Sequence, residues 1–300
     1  MQPWALAWEQ ALYGPGGFFL RERPGDHFRT SVTASAVFAG AVRELAGRVD
    51  EALGRPDPYD VVDLGAGRGE LLHALPDVPG RWRLSAVERA PDPGGGLRWL
   101  PTTPPLTGLL LANEWLDDLP LDIVEDGRLV LVDQAGTEHP GPPAPAQLMR
   151  WCARWWPGAD TGGRAEVGLA RDLAWSAASD RVTRGLAVAV DYGHLSGGRR
   201  PTLTGYRAGR QVPPVPDGSC DLTAHVALDS CAQASRSRLL DQRTALRALG
   251  VDGAVPAWRG DAAGYALALQ RCSDAAELVD PQGLGGFGWL VREVGIPPVL

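Results

Sequence analysis

The feature that most constrains the fold of this chain is a glycine-rich stretch from Val61 to Glu70, which reads VVDLGAGRGE. The apolar run from Tyr59 to Leu64 predicts a short buried strand, and residues 71–75 predict the start of a helix. Glycines at alternate positions let the backbone turn sharply and let a ligand lie close against it. A helix that begins there presents free backbone N–H groups and the positive end of its dipole. The stretch therefore predicts a strand, a tight turn and a helix able to hold a nucleotide-like ligand.

The spacing of these glycines separates the candidate ligands. A dinucleotide-binding turn has the pattern G-x-G-x-x-G, whereas here Glu70 stands at the sixth position. The observed pattern, G-x-G-x-G behind an acidic residue, suits S-adenosylmethionine (SAM). A nicotinamide dinucleotide and a glycine turn that binds nothing are the alternatives. The residues expected to hold the cofactor are Asp63, Gly65, Ala66, Gly67 and Gly69.

A second acidic residue supports a nucleotide-like ligand. Residues 83–88 predict a strand that ends in Glu88, 19 positions after Gly69. In nucleotide-binding βαβ units, an acid at the end of the second strand accepts hydrogen bonds from the ribose hydroxyls. The alternative for Glu88 is a solvated strand end. The next connection, residues 89–96, is too short for a normal crossover helix.

Polar residues follow two further predicted strands. Residues 109–112 predict a fully buried strand that ends at Asn113 and Glu114, with Asp117 close behind, and the strand at 186–190 ends at Asp191. Ligands of open α/β sheets bind outside the carboxyl ends of the strands, so these side chains are expected to face the site. Helix capping could explain Asn113 or Asp117 but does not require Glu114.

The rest of the chain completes an α/β protein. Strands and helices alternate over residues 56–133, which predicts a parallel sheet, and Asp126-Gly127 predicts a hairpin turn. Asp221 is interpreted as the cap of a helix. We expect an N-terminal cap over residues 1–54 and one domain over 55–300, with helical insertions at about 140–182 and 196–285. Other predicted segments are helices at 35–53, 147–156, 170–183, 239–249 and 262–277, an exposed connector at 139–146, a long loop at 196–219 and a last strand at 287–294.

Composition excludes several classes of protein. The net charge of −7 argues against nucleic-acid binding, which needs a basic face. The sequence contains no run of eighteen apolar residues, so no membrane span is predicted. The N-terminus lacks the pattern of a secretory signal. The four cysteines are widely spaced without a C-x-x-C pair, so neither zinc nor disulfides are expected. We therefore expect a cytoplasmic protein without a metal site.

Six short blocks between about residues 8 and 250 occur in the order found in one known family. They are ALYGPGGFF (11–19), FRTS (28–31), DLGAGRG (63–69), ANE through LP (112–120), DYG (191–193) and DLTAHV (221–226). The chain thus resembles the MidA-like family of SAM-dependent methyltransferases. Mitochondrial members of that family methylate an arginine of a respiratory complex I subunit and assist assembly of the complex.

The resemblance implies a Rossmann-like class I methyltransferase with a seven-stranded, mostly parallel sheet, helices on both faces and an N-terminal helical cap. It also implies that an N-terminal lid closes over SAM. This chain departs from the family at Val32-Thr33, where the family has Pro-Glu, and at Gly209, where a histidine is expected. These departures lie on the acceptor side and leave the acceptor open. Tyr13, Phe18 and Phe19 are expected to close over the site. Further residues expected to bind the cofactor are Tyr13, Gly17, Phe18, Thr30, Ser31 and Asn113.

For a protein arginine acceptor, we assign roles to the polar residues at the strand ends. Glu114 is expected to orient the guanidinium and accept a proton, with Asp117 and Asp191 as supporting acids and Asn113 as an orienting group. The alternatives are a small-molecule O- or N-methyltransferase and a non-catalytic assembly factor for a respiratory complex. The expected partner is accordingly a protein, such as a respiratory complex subunit, or a small molecule, and a homodimer is left open.

Overall fold

The protein is described from a computed structural model, which covers residues 1–21, 36–159, 161–255, 257 and 261–300. The chain divides into two compact units. The first consists of Met1–Phe28, Trp115–Ala177 and Gly193–Arg236, and the second of Arg29–Glu114, Ala178–Tyr192 and Ser237–Leu300. Residues 1–54, predicted as one N-terminal cap, are therefore shared between the two units.

The described residues form strands and helices throughout both units. The helices are α1 (Trp4–Tyr13), α2 (Phe18–Arg21), α3 (Ala36–Ala52), α4 (Glu70–Ala74), α5 (Ala146–Trp155), α6 (Leu169–Ser179), α7 (Leu228–Ser235), α8 (Gln242–Ala248) and α9 (Ala262–Leu278), with a 3₁₀ turn at Leu284–Gly286. The strands are β1 (Gln2–Pro3), β2 (Tyr59–Leu64), β3 (Trp82–Val87), β4 (Arg98–Leu100), β5 (Leu106–Asn113), β6 (Asp122–Glu125), β7 (Arg128–Val132), β8 (Glu138–Pro143), β9 (Arg164–Val167), β10 (Val182–Asp191), β11 (Gly193–His194), β12 (Thr204–Arg207), β13 (Arg210–Val212), β14 (Asp221–Thr223), β15 (Val226–Ala227), β16 (Arg238–Asp241) and β17 (Gly288–Val294).

The second unit is built on a seven-stranded sheet in the order β16-β17-β10-β5-β2-β3-β4. Strands β10, β5, β2, β3 and β4 pair in parallel, whereas β17 is antiparallel to both β10 and β16. The central strands are apolar runs such as Leu109–Leu111 and Leu186–Val190, and these side chains are buried. Continuous apolar runs are typical of parallel strands that are covered on both faces. The carboxyl ends of β2, β3, β5 and β10 consequently lie along one edge of this sheet.

Two glycines let the three central strands approach closely. Gly108 on β5 has φ +150°, and a Cβ there would lie 2.0 Å from the carbonyl oxygen of Asp60 on β2. Gly185 on β10 has φ +129°, and its Cβ would lie 2.0 Å from the carbonyl oxygen of Gly108. Since real Cβ atoms do not approach this closely, only glycine fits at these two positions.

Helix α3 supplies much of the core of the second unit. Its residues Phe38, Val42, Leu45 and Val49 are buried, as the helical period of the sequence predicted. The hydroxyl of Tyr59 donates a 2.8 Å hydrogen bond to the carbonyl of Ala46, which joins the start of β2 to the helix. This anchoring fixes the strand whose other end carries the glycine-rich turn.

The first unit is built mostly on antiparallel pairing, with β11 and β15 as a short parallel pair. Its largest sheet has the order β1-β7-β6-β9, with β8 paired to β7, and every pairing in it is antiparallel. The predicted hairpin is confirmed, since Asp126 and Gly127, with φ +49° and +71°, join β6 to β7. The small sheets β13-β12-β14 and β11-β15 complete the unit. The main core of this unit includes Trp4, Trp8, Leu12, Phe18, Ile123, Val130 and Leu222.

Two predicted connectors contain strands. Most of the proline-rich segment 139–146 belongs to β8, which pairs only with β7 among the described strands. Proline has no N–H group to donate and is tolerated on an edge strand, so its presence concealed the strand. The predicted loop 196–219 contains the hairpin of β12 and β13, which turns at Ala208 and Gly209 with φ +50° and +74°.

The interpretation of Asp221 as a helix cap is wrong. Asp221 is the first residue of β14 and pairs with Tyr206 on β12, while α7 begins only at Leu228. The pairing with a distant strand decided the local structure, and the sequence around Asp221 does not show that partner. The segment predicted as a helix at 239–249 likewise begins as β16, and its helix is capped by Asp241, which accepts from the Thr244 amide at 2.7 Å.

The α/β class is confirmed. Across the two units the sheets are mixed. The first unit combines two antiparallel sheets with the short parallel pair β11-β15, and the second holds the largely parallel sheet. Within the described part of the chain, no helix is both long enough and apolar enough to cross a membrane.

Candidate functional site

The glycine-rich turn follows β2 in the second unit, as predicted. Gly65, Gly67 and Gly69 have φ values of +76°, +58° and +83°, a region that favours glycine. A Cβ on Gly69 would lie 2.5 Å from the Cδ1 atom of Leu97, so the connection 89–97 closes over the turn. The carbonyl of Val87 accepts hydrogen bonds from the Gly65 and Ala66 amides at 2.9 and 3.4 Å, which joins the turn to the end of β3.

The helix after the turn differs from the expectation. Helix α4 has only five residues, and the carboxylate of Glu70 accepts a 2.8 Å hydrogen bond from the Arg68 amide. Such a short helix has little dipole to offer an anion. The turn therefore favours a ligand through its open backbone and its acidic side chains.

Glu88 stands at the end of β3 and is tied to the turn. One carboxylate oxygen accepts from the Gly67 amide at 3.1 Å, and the other accepts from the Arg89 and Ala90 amides at 2.6 and 3.1 Å. A carboxylate has about four acceptor positions, so Oε2 keeps room for another donor. The expected contact with a ribose hydroxyl stays a prediction.

Asp63 is the most unusual side chain of the turn. It is 5% exposed, and none of the described residues donates a hydrogen bond to its carboxyl group. Burial raises its pKa to about 7, and the nearby carboxylates of Glu88 and Glu70 add to the increase. A buried carboxyl with no donor and two acidic neighbours indicates a place for a cation.

The end of β5 brings Asn113, Glu114 and Asp191 together. Asn113 pairs with Val190 in the parallel ladder, and the Glu114 amide donates to the Val190 carbonyl at 2.8 Å. Glu114 has φ +50°, uncommon for a residue with a side chain, and its Oε1 accepts from the side-chain Nδ2 of Asn113 at 3.0 Å. Asp191 follows Val190 directly and is 1% exposed. Strained backbone of this kind is enriched at functional sites.

Asp117 belongs to the first unit and forms structural contacts there. Its Oδ2 accepts a 2.8 Å hydrogen bond from the Thr223 hydroxyl. Asp221 is buried close to it, and burial together with the Asp117 charge raises the pKa of Asp221 well above its usual range. Buried Arg171 donates to the backbone carbonyls of Asp117 and Ala224. These contacts give Asp117 a structural explanation, and its assignment as a supporting acid stays a prediction.

The predicted lid residues that the structure describes lie in the first unit. The ring of Phe19 lies 5.5 Å from the rings of both Tyr13 and Phe18, and Phe18 is buried. The Gly17 amide donates a 2.7 Å hydrogen bond to the Gly14 carbonyl. Thr30 and Ser31 lie outside the described residues. The second unit thus collects Asp63, Gly65, Ala66, Gly67, Gly69, Glu88, Asn113, Glu114 and Asp191.

Three residues around the turn were missed by sequence reasoning. The glycine pattern identifies Glu70 only as a departure from the dinucleotide motif, whereas its carboxylate caps the turn and acts on Asp63. His73 bonds through Nδ1 to the Gly69 carbonyl at 2.8 Å, and Leu97 covers Gly69. The position of Glu70, two residues after the Arg68 amide that it caps, was the available signal. Nothing local pointed to Leu97.

Comparison with known proteins gives a family and a fold. Residues 83–243 match the sequence model of a family described as "Putative S-adenosyl-L-methionine-dependent methyltransferase". A structure from Burkholderia thailandensis, described as a "likely methyl transferase" bound to S-adenosyl-homocysteine, is 22% identical with a TM-score of 0.78. The alignment covers 99% of this chain and 89% of that one.

A second structure from the same bacterium, of an uncharacterised protein, is 23% identical with a TM-score of 0.80. The alignment covers 99% of this chain and 88% of that one. These two likenesses establish the fold. The search of curated proteins gives no match.

Proposed function

Because this chain belongs to the family of SAM-dependent methyltransferases, we propose that it transfers the methyl group to an arginine side chain of a protein. The observation that carries the proposal is Glu114, held in a strained conformation at the carboxyl end of β5 with Asp191 following the paired residue of β10. Two acids on neighbouring strand ends suit a cationic acceptor such as a guanidinium. Both residues belong to the unit that carries the glycine-rich turn, which supports the proposal.

The residues of the turn fit SAM as cofactor. The glycines leave the backbone open to a ligand, and the carboxyl of Asp63, to which no described residue donates, suits a group with positive charge. Glu88 retains acceptor capacity for a ribose hydroxyl, and the Oδ1 atom of Asn113 is buried with no hydrogen-bond partner among the described residues. When bound, SAM supplies an activated methyl group on its sulfonium.

The chain's own contribution to transfer is alignment and charge. The arginine guanidinium stays protonated in water, so it must be oriented and must lose a proton as the methyl group is added. In our proposal, Glu114 orients the guanidinium through paired hydrogen bonds and accepts that proton, and Asp191 offsets the remaining positive charge. Asn113 holds the Glu114 carboxylate in place through its 3.0 Å hydrogen bond.

We further assign the protein to the MidA-like type, with the seven-stranded sheet as a class I methyltransferase sheet. The ordered sequence blocks support this assignment, and the strand order of the second unit is compatible with it. A respiratory complex subunit is then the acceptor that the resemblance suggests. A cytoplasmic location is part of the proposal and is supported by four free cysteines, of which three are buried.

The test is to label the acceptor directly. Lysate from a strain that lacks this protein is incubated with the purified protein and SAM that carries a labelled methyl group, and labelled species are identified by mass spectrometry. We expect label on an arginine of a protein. Label on a metabolite would contradict the proposal and point to a small-molecule methyltransferase, while absence of any label together with SAM binding would point to an assembly factor.

A variant at Glu114 tests the assigned residue in the same assay. Glu114→Gln keeps the side-chain shape but removes the proton acceptor, so transfer should fall by about 10²–10⁴-fold while SAM still binds. Glu125→Gln is a matched control, because Glu125 is an exposed acid at the end of β6, outside the assigned site. Unchanged turnover in Glu114→Gln would reject Glu114 as the base.

A further inference from the structure

The inference concerns the charge state of Asp63, the buried acid at the end of β2. Its ladder partners, Ala86 on β3 and Leu111 on β5, are apolar. Among the described residues, the charged groups that act on it are Glu88, after β3, and Glu70, at the start of α4. The described ladder partners of Asp63 are therefore apolar, and the described charges that act on its carboxyl group are negative.

This arrangement disfavours an ionised carboxyl in the free protein. An ionised carboxylate in a buried site needs hydrogen bonds or a positive charge, and the described residues supply neither to Asp63. The hydrogen bonds of Glu88 and Glu70 to backbone amides keep their carboxylates near the turn, which maintains the repulsion. Glycines at 65, 67 and 69 add no side chain that could provide a donor.

We propose that Asp63 couples cofactor binding to proton release. Its carboxyl carries a proton in the free protein, and the O–H bond breaks when a cationic group of SAM binds beside it. The aspartate is then paired with the cation, and the proton passes to the buffer. The inference rests on the cofactor and is independent of the acceptor.

The chemistry of SAM supports this coupling. SAM carries a sulfonium and an ammonium against one carboxylate, and an opposite charge within about 4–6 Å favours the ionised form of an acid. Because the pKa of Asp63 in the free protein is about 7, a large fraction of the molecules would need to lose a proton at neutral pH. Binding of SAM should consequently weaken as the pH falls.

Isothermal titration calorimetry of the full-length protein with SAM tests the proposal. Titrations in phosphate and in Tris, whose ionisation enthalpies differ, give the number of protons released. We expect about half a proton at pH 7 and very little at pH 8.5, and a Kd that rises up to about tenfold per unit below pH 7. Equal binding enthalpies in the two buffers at pH 7 would overturn the proposal.

Two variants on the same strand assign the proton to Asp63. Asp63→Asn should release less than about a tenth of a proton at pH 7, and its Kd should lose most of its pH dependence. The matched control is Asp60→Asn, since Asp60 is also 5% exposed on β2 but is paired with Arg83. Asp60→Asn should release as much as the native protein. Release from Asp63→Asn equal to the native value would overturn the assignment.

Carboxyl NMR of the native protein, labelled with ¹³C at aspartate, gives a readout that does not depend on any variant. The Asp63 signal should titrate near pH 7 in the free protein and move to lower pH with SAM. An Asp63 signal that is ionised at pH 5.5 in the free protein would overturn the proposal.

Calorimetry with S-adenosyl-homocysteine, which retains the ammonium and lacks the sulfonium, identifies the cation. Proton release with both ligands assigns the ammonium, and proton release with SAM alone assigns the sulfonium. Since no acceptor is present, failure of arginine methylation would not affect these results.

Discussion

Two acids on β2, Asp60 and Asp63, are equally buried and have opposite surroundings. Both are 5% exposed. Asp60 accepts from the Arg83 guanidinium at 2.6 Å and from the Thr107 amide at 3.3 Å, whereas no described residue donates to Asp63. The same strand thus holds a satisfied acid near its amino end and an unsatisfied one near its carboxyl end.

In our proposal, this difference separates the part of the sheet that stabilises the fold from the part that binds the cofactor. At the amino end, Asp50 is likewise matched by Arg81 and by the indole N–H of Trp82. Such pairs satisfy buried charge and fix the strands. At the carboxyl end no donor for the Asp63 carboxyl group is found in the described part of the chain, and such a group costs stability unless a ligand provides the missing charge. Burial alone therefore does not distinguish these two acids, whereas the presence or absence of a described partner does.

The largest effect on stability is expected where the strands touch at the amino end. Gly108→Ala would place a Cβ 2.0 Å from the Asp60 carbonyl oxygen, at a φ of +150°, so β5 would have to move away from β2. We expect a loss of about 3 kcal/mol or more in the free energy of unfolding, measured by urea denaturation. Gly40→Ala is the control: Gly40 lies within α3 with nothing near its added Cβ, and alanine should be neutral or stabilising there. Equal stability of the two variants would mean that the close strand approach is not required.

The next effect concerns Asp60 itself. Asp60→Asn keeps the acceptor for the Thr107 amide but removes the charge paired with Arg83, whose side chain is partly exposed. We expect a loss of about 1–2 kcal/mol at pH 7, because solvent screens part of the interaction. The same denaturation measurement at high salt should show a smaller difference from the native protein. A variant as stable as the native protein would contradict the structural role of the amino end.

Asp63→Asn should change stability in the opposite direction. In the free protein the Asp63 pKa is raised from 3.8 to about 7, so between these values the folded state binds more protons than the unfolded state. This contribution to stability is present below pH 3.8 and is lost as the pH rises through 7. Replacement by Asn removes the loss, and we expect the variant to gain about 1–2 kcal/mol relative to the native protein at pH 8 and less at pH 5. Destabilisation at pH 8 would show that Asp63 has a stabilising partner and would end the contrast with Asp60.

The sequence predicted the parts of this site that depend on local pattern. The apolar runs and the glycine spacing located β2, the turn and the end of β3, because strand burial and backbone freedom are local properties. The orphaned carboxyl of Asp63 could not be predicted, since it depends on what the distant strands β3 and β5 fail to provide. For the same reason the local pattern around Asp221 predicts a helix start where the structure has β14. The strand β8 has a different cause, because its prolines conceal it. Pairing partners that lie far along the chain are absent from any local pattern.

The smallest effect extends the comparison to the first unit, where the ring nitrogens of His194 also lack a hydrogen-bond partner among the described residues. Both of its ring nitrogens are buried and have no hydrogen-bond partner among the described residues, and its ring packs against Trp156 at 5.2 Å. Burial lowers its pKa to about 4, and the charges of Arg199 and His225 add to the decrease, whereas the approach of its own backbone, too poorly aligned for a hydrogen bond, and the charge of Asp229 oppose it. Between pH 6.5 and 4 the unfolded state therefore binds more protons, so this contribution to stability falls as the pH falls, opposite to the trend for Asp63. Between pH 7 and pH 4.5, the free energy of unfolding of His194→Phe should fall by about 1 kcal/mol less than that of the native protein. Partial exposure of the ring limits the effect. Thermal unfolding followed by circular dichroism at the two pH values measures it, and an unchanged pH dependence in His194→Phe would show that a donor or acceptor reaches this ring in solution.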